Sequence, residues 1–168
     1  QTRIFKRGKI SSGNVLNNLL ENYSVGILTL SVRKSTYDVV GGFSSDYHII
    51  GDLDLVIKLA KKGKMGSFQE PLAVCRKDGN NESILKVEMY IEELKKWYKK
   101  NSDSYKKSNI KSIKAFYSSI LYKEYNFHIN NNSFSFAMLL SAFKKLSLKN
   151  VLKIIIKIFI KKITGVRV

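Results

Sequence analysis

The sequence predicts an α/β fold over residues 1–82, followed by an extension made only of α-helices. An apolar, β-branched run at residues 25–33 predicts a buried strand, and the run at 71–76 predicts a short strand that Pro71 starts or places at an edge. Between these runs, apolar residues recur at helical spacing from Asp52 to Gly63. Beyond this mixed part the helical spacing continues without a further strand pattern, so the two kinds of structure are expected to follow one another along the chain.

The first part is predicted to alternate short helices with short strands. Serine and asparagine residues before the first helix can cap it, and glycines follow the next two helices as stop signals. The predicted elements are a helix at 13–21, a strand at 25–33, a short helix from Ser35 to Gly41-Gly42, a core plug at Phe43, a loop at 44–50, a helix from Asp52 to Gly63, strands at 64–68 and 71–76, and a turn at 78–81.

The extension is predicted to contain four helices. Serine or asparagine residues stand before the last three, where their side chains can accept hydrogen bonds from the free N–H groups of the first turn. The helices are expected at 83–100, 109–126, 133–146 and 148–163. The chain is accordingly divided into residues 1–82, 83–147 and 148–168.

The composition is that of a folded, strongly basic chain. Its 168 residues include 30 Lys and Arg against 13 Asp and Glu, a formal net charge of +17, and 44% are hydrophobic. That apolar fraction can fill a core, which excludes a disordered chain. The single cysteine, Cys75, excludes an intrachain disulfide and a cysteine-rich zinc site, and it is typical of a reducing compartment. The sequence has no apolar run of ~18 residues, so a membrane-spanning helix is not expected.

The positive charge is concentrated after residue 100, where 13 basic residues stand against 2 acidic ones. Only five of the basic residues are Arg, although proteins that read phosphates favour the planar guanidinium. Six aromatic residues of the extension mostly lie at helical spacing and are expected in the core, not on a surface that stacks bases: Tyr90, Trp97, Tyr98, Tyr105, Phe116 and Tyr117. A nucleic-acid partner is therefore not favoured, and codon bias in an AT-rich genome is an alternative source of many lysines.

Four short motifs lie close together in the first part. They are VGGF at 40–43, GDLDL at 51–55, EPLAVCR at 70–76 and DGNNES at 78–83. Each motif is weak by itself. In this order and spacing they resemble the acceptor-side, C-terminal half of a bacterial family 2 glycosyltransferase with the GT-A (nucleotide-diphospho-sugar transferase) fold. The upstream VGILTLSVRKS at 25–35 also resembles the strand and basic residues that precede the glycines in that family.

The resemblance implies an inverting transfer of a sugar from a nucleotide-sugar donor to a cell-surface glycan or a lipid-linked acceptor. It covers about half of the chain. The family's nucleotide-binding first half, with its metal-binding D-x-D motif, has no counterpart in these residues, and the Mg²⁺ or Mn²⁺ expected for the full-length enzyme would bind there. We therefore expect residues 1–82 to be the acceptor-side half of a catalytic domain, and the chain alone to be an inactive fragment.

The resemblance also assigns roles to individual residues. Asp52 matches the family's catalytic base, which takes a proton from the acceptor hydroxyl. Asp54, about 200° further round a helix, is a partner of the helix dipole or an acceptor contact. Arg76 matches a position near the donor diphosphate or is a surface residue. Asp78 stands where many relatives have a histidine that contacts metal or phosphate, and its carboxylate is a candidate ligand for Mg²⁺ or Mn²⁺. His48, in the predicted acceptor-side loop, contacts substrate or is solvated.

The last segment has an amphipathic pattern. Lys149, Lys153, Lys157 and Lys161 recur every four residues beside a broad apolar face. Such a helix suits an anionic membrane surface, or it packs on the domain with its lysines in water. Relatives in the resembled family often act on lipid-linked acceptors, so residues 148–163 are expected to bind the membrane, with the protein in the cytoplasm at its inner face. The alternative to catalysis is a basic module that binds nucleic acid or a membrane.

Overall fold

The computed structural model describes residues 9–74, 82–107 and 112–165. Within these ranges the chain forms eight α-helices and one 3-10 helix. In chain order they are α1 (Leu16–Glu21), the 3-10 helix (Ile27–Thr29), α2 (Lys34–Val39), α3 (Gly51–Lys62), α4 (Glu82–Leu85), α5 (Val87–Lys107), α6 (Ser112–Asn130), α7 (Phe136–Lys145) and α8 (Leu148–Thr164).

The predicted α/β fold is wrong, because the described residues form helices and no strand or sheet. The run at 25–33 contains only the 3-10 helix Ile27–Thr29. At 64–68 the pairing is a single antiparallel bridge between Gly13 and Met65, with N–O distances of 2.7 and 3.0 Å. A β-branched run becomes a strand only beside a neighbour that takes its hydrogen bonds and side chains. The GT-A fold expected from the resemblance is corrected to an all-helical one.

The third predicted strand and the turn after it lie partly or wholly outside the described residues. Residues 71–74 have no regular structure, and Cys75, Arg76 and Asp78 are outside the described ranges. Residues 71–74, the described part of the strand predicted at 71–76, are therefore not a strand. The turn at 78–81 stays a prediction.

The helix predictions are confirmed with shifted ends. α1, α2 and α3 lie where the apolar spacing places them, and α3 ends immediately before Gly63. α5 continues to Lys107 and is separated from the short α4 by a turn at Lys86. α7 begins three residues later than predicted because the side chain of Ser135 caps it, accepting a hydrogen bond from the N–H of Met138 at 3.3 Å.

The first hydrophobic core joins residues from both sides of the predicted boundary at residue 82. Trp97 of α5 lies at its centre and is 1% exposed. Its ring packs edge-on against Phe116 at 5.1 Å and beside Tyr105 at 5.9 Å between centroids. Of the six aromatic residues expected in the core, these three are buried, whereas Tyr90, Tyr98 and Tyr117 are partly buried against the two cores. The other buried members are Val15, Leu19, Leu20, Tyr47, Ile50, Leu53, Val56, Ile57, Ala60, Leu94, Ile113 and Ile120.

A second core lies between the later helices. It is built where α6, α7 and α8 meet, and α6 contributes to both cores because opposite ends of this helix face different partners. Its buried members are Leu121, Tyr125, Ile129, Ala142, Leu146, Val151 and Ile154. α6 therefore connects the region around α1 and α3 to the C-terminal helices.

The turn after α2 is closed by two glycines, as predicted. Gly41 and Gly42 have φ values of 77° and 57°, in the left-handed region that favours glycine. A Cβ atom at Gly42 would lie 2.7 Å from the ring of Tyr37, so this position needs glycine for space as well. Phe43, however, is 51% exposed, and the prediction that it plugs the core is wrong.

Candidate functional site

Asp52 lies in the first turn of α3 and is half-buried. One carboxylate oxygen accepts a hydrogen bond from the N–H of Leu53 at 2.7 Å, and the other accepts one from the hydroxyl of Tyr23 at 3.4 Å. Burial raises the pKa of Asp52 above that of an ordinary aspartate, although the two hydrogen bonds act in the opposite direction. The carboxylate is therefore less well solvated than a surface aspartate and binds a proton more readily.

Two tyrosines lie beside this carboxylate. Burial, followed by the negative charge of Asp52, raises the pKa of Tyr23 and of Tyr90, so both phenols stay protonated. Tyr23 follows α1 and Tyr90 belongs to α5, so three separate elements meet at the start of α3. A protonated phenol can donate a hydrogen bond to a carboxylate or to a hydroxyl-bearing ligand.

The loop that leads into α3 is held by Glu93 of α5. Its carboxylate accepts hydrogen bonds from three successive backbone N–H groups, those of His48 at 2.7 Å, Ile49 at 2.9 Å and Ile50 at 3.0 Å. Hydrogen bonds to an ionised carboxylate are stronger than neutral ones. This contact sets the path of the chain just before Asp52. The sequence gives no local sign of it, because Glu93 is 45 residues from His48.

Asp54 has a different environment and faces the core. It is 6% exposed, accepts a hydrogen bond from the indole N–H of Trp97 at 2.9 Å, and pairs with Lys58 at 3.0 Å. Lys58 also donates to the backbone carbonyl of Gly42 at 2.7 Å. Both oxygens of Asp54 are thus engaged, one by Trp97 of α5 and the other by Lys58 of α3 itself, and these contacts give it a structural role.

His48 lies on the surface beside the same loop. Its ring Nε2 is 2.9 Å from a carboxylate oxygen of Glu82 in α4, and its side chain is 59% exposed. The structure thus places Asp52 and His48 on the segment that Glu93 anchors. The two other residues to which the resemblance gives roles, Arg76 and Asp78, lie outside the described residues.

In the part of the chain that the structure describes, three or more potential metal ligands do not come together. The cavities among the described residues include a groove of about 750 Å³ between α5, α6 and α7, and a pocket of about 200 Å³ between α1 and residues 65–67. Asp52 lines neither of these two cavities.

Comparisons with protein-family models, curated proteins and solved structures find no match to this chain.

Proposed function

We propose that the chain is the acceptor-side part of an inverting glycosyltransferase, with Asp52 as its general base. The observation that carries the proposal is the half-buried carboxylate of Asp52, whose pKa is raised by burial and whose position is set by Leu53, Tyr23 and the loop bonded to Glu93. Such a group is both fixed and basic, which is what proton abstraction from a weakly acidic hydroxyl requires. The motif order supports the choice of reaction, and the proposal does not depend on a sheet.

In the proposed reaction the acceptor hydroxyl oxygen attacks the anomeric carbon of the donor sugar. The new bond joins that carbon to the acceptor oxygen, and the bond from the carbon to the nucleotide diphosphate breaks. The proton of the hydroxyl moves to a carboxylate oxygen of Asp52, and the electron pair of the broken bond leaves with the diphosphate.

The pH dependence follows from the direction of the pKa shift. Only the ionised carboxylate can act as a base, so the rate is expected to rise with pH as Asp52 loses its proton. Because burial raises the pKa of Asp52, that rise lies at higher pH than for a surface aspartate. Folding disfavours the ionised carboxylate of Asp52. Its contribution to the free energy of unfolding therefore falls as the pH rises from below the pKa of the unfolded chain to above the raised pKa of the folded one.

The test is Asp52→Asn in the full-length protein, assayed for sugar incorporation from a panel of radiolabelled nucleotide sugars. We expect turnover to fall by about 10²- to 10⁴-fold, since a general base contributes about that much. The free energy of unfolding should stay the same or rise, because the variant removes a poorly solvated charge. Asp38→Asn is the matched control, since Asp38 is exposed and its carboxylate pairs with Lys34. Near-normal turnover in Asp52→Asn would sink the assignment.

We also propose that α8 holds the protein at the inner face of a membrane. In the described ranges no helix is long and apolar enough to cross a bilayer. α8 instead has an exposed apolar side, with Phe159 at 65% and Ile156 at 56% exposed, and basic residues around it. An amphipathic helix of this kind can lie in the headgroup region with its apolar side buried.

Vesicle co-sedimentation tests this second proposal. The chain is expected to bind vesicles that contain phosphatidylglycerol far more strongly than vesicles of phosphatidylcholine alone, and added salt should weaken the binding. Ile156→Gln/Phe159→Gln should remove most of it while leaving the far-UV circular dichroism unchanged, since both side chains are exposed. Equal binding to both kinds of vesicle, or to the variant and the wild type, would contradict the proposal.

A further inference from the structure

α8 packs on the molecule through one narrow side. Val151 and Ile154 are buried in the second core, at 1% and 0% exposed. The side of the helix that faces solvent carries an apolar stripe, and the side chains of this stripe stay exposed among the described residues. Its members, each at least 38% exposed, are Leu148, Leu152, Ile155, Ile156, Phe159, Ile160 and Ile163.

The four lysines that recur every four residues along α8 have two different kinds of surroundings. Lys157 lies over the ring of Tyr122 at 5.8 Å, and Lys161 donates to backbone carbonyls at the end of α6, so both face the molecule. Lys149 and Lys153 are exposed and lie along one edge of the apolar stripe, and the exposed Lys162 lies along the other. The charges that can reach a partner therefore flank the stripe on both sides.

α7 presents a second stripe of the same kind. Phe136, Leu140 and Phe143 recur at helical spacing and are 73%, 49% and 54% exposed. Lys144 and Lys145 in the last turn are also exposed. α7 is joined to α8 by only two residues, 146 and 147, and both helices contribute to the second core. The two helices are thus tied together, and each leaves an apolar side uncovered by the described residues.

Charge favours one kind of occupant for these surfaces. The sequence has no acidic residue after Glu124, whereas eight basic residues follow it. An acidic bilayer matches this distribution, because an apolar interior lies directly beneath its layer of negative headgroups. A protein surface would have to supply apolar and acidic groups in a fixed pattern along two helices.

We propose that α7 and α8 form one composite face that binds an anionic lipid bilayer, with Leu140 and Phe143 entering the headgroup region beside the stripe of α8. This inference deepens the proposed membrane association and rests on it. Lys144, Lys149, Lys153 and Lys162 contact the headgroups, whereas Lys157 and Lys161 hold α8 on the molecule. Both helices then share the apolar contact, and the orientation of the whole helical part on the membrane is fixed.

The experiment measures partition of the full chain into phosphatidylglycerol-containing vesicles for three double variants. Leu140→Gln/Phe143→Gln tests α7, Ile156→Gln/Phe159→Gln tests α8, and Phe68→Gln/Leu72→Gln is a matched control with exposed apolar residues far along the chain from both helices. We expect roughly tenfold weaker binding for the α7 variant, a larger loss for the α8 variant and no change for the control. Circular dichroism verifies that each variant keeps its helices.

The outcomes separate the two levels of the proposal. If the α7 variant binds like the wild type and the α8 variant does not, the composite face is wrong but membrane association stands. If neither the wild type nor any variant binds vesicles, both fail. Concentration-dependent self-association of the wild type in the absence of lipid, lost in the α7 variant, would show that this face joins two copies of the chain and would overturn the lipid assignment.

Discussion

Residues 9–74 and the described residues from 82 onward, 82–107 and 112–165, are stabilised in different ways. The first region has short helices joined by long irregular segments, and individual polar atoms fix their positions. The second has long helices that pack through extended apolar sides. Loss of one polar atom is therefore expected to lower the free energy of unfolding strongly in the first region. In the second region the buried apolar area matters more than any single polar contact.

The polar contacts of the first region meet at α3. Asp54 accepts a hydrogen bond from the indole of Trp97, and Lys58 donates one to the carbonyl of Gly42. The N–H of Ile50 donates one to the carboxylate of Glu93. Two of these three contacts cross from the first region to α5. They add to the apolar packing of α3, which buries Leu53, Val56 and Ile57 in the first core, and the proposed base lies on this helix.

The largest effect is expected where the two regions meet, at Asp54. Asp54→Ala removes the partner of the buried Trp97 indole and of Lys58, and it should lower the free energy of unfolding by about 3 kcal/mol. Urea unfolding followed by tryptophan fluorescence measures this, since Trp97 is the single tryptophan. Asp38→Ala, which breaks the exposed pair with Lys34, is the control and should cost less than about 0.5 kcal/mol. A loss below about 1 kcal/mol for Asp54→Ala would contradict the comparison.

A smaller effect is expected at the turn after α2, where two glycines form a matched pair. Both have positive φ, so alanine at either should cost about 1 kcal/mol in backbone strain. Alanine at Gly42 also meets the Tyr37 ring, whereas nothing lies within 4 Å of a Cβ at Gly41. Gly42→Ala should therefore destabilise by about 1 kcal/mol more than Gly41→Ala in urea unfolding. Equal losses would show that the ring moves away freely.

The helices could be predicted from the sequence because their signals are local. Apolar spacing locates α3 and α8, and the two glycines locate the end of α2. The strands could not, because a strand needs a partner that the run itself does not specify. Residues 25–33 have the β-branched composition of a strand. The described residues contain no strand beside which they could pair, and they remain largely irregular.

The candidate site was predictable in part for the same reason. The position of Asp52 at a helix start follows from nearby residues, and the structure places it there. The burial of Asp54 and the role of Glu93 depend on α5, which lies about 40 residues further along the chain. Local spacing put Asp54 away from Asp52 on the helix, but it could not reveal that Trp97 covers it.

The contact of Lys161 with the end of α6 has a mechanical consequence. Its ammonium group donates to the carbonyl oxygens of Ile129 and Asn130, the last two residues of α6. A pull on α8 must break these bonds before the helix detaches, so tension is transmitted to α6. Because α6 also contacts α1 and α5, the load reaches the elements that surround Asp52.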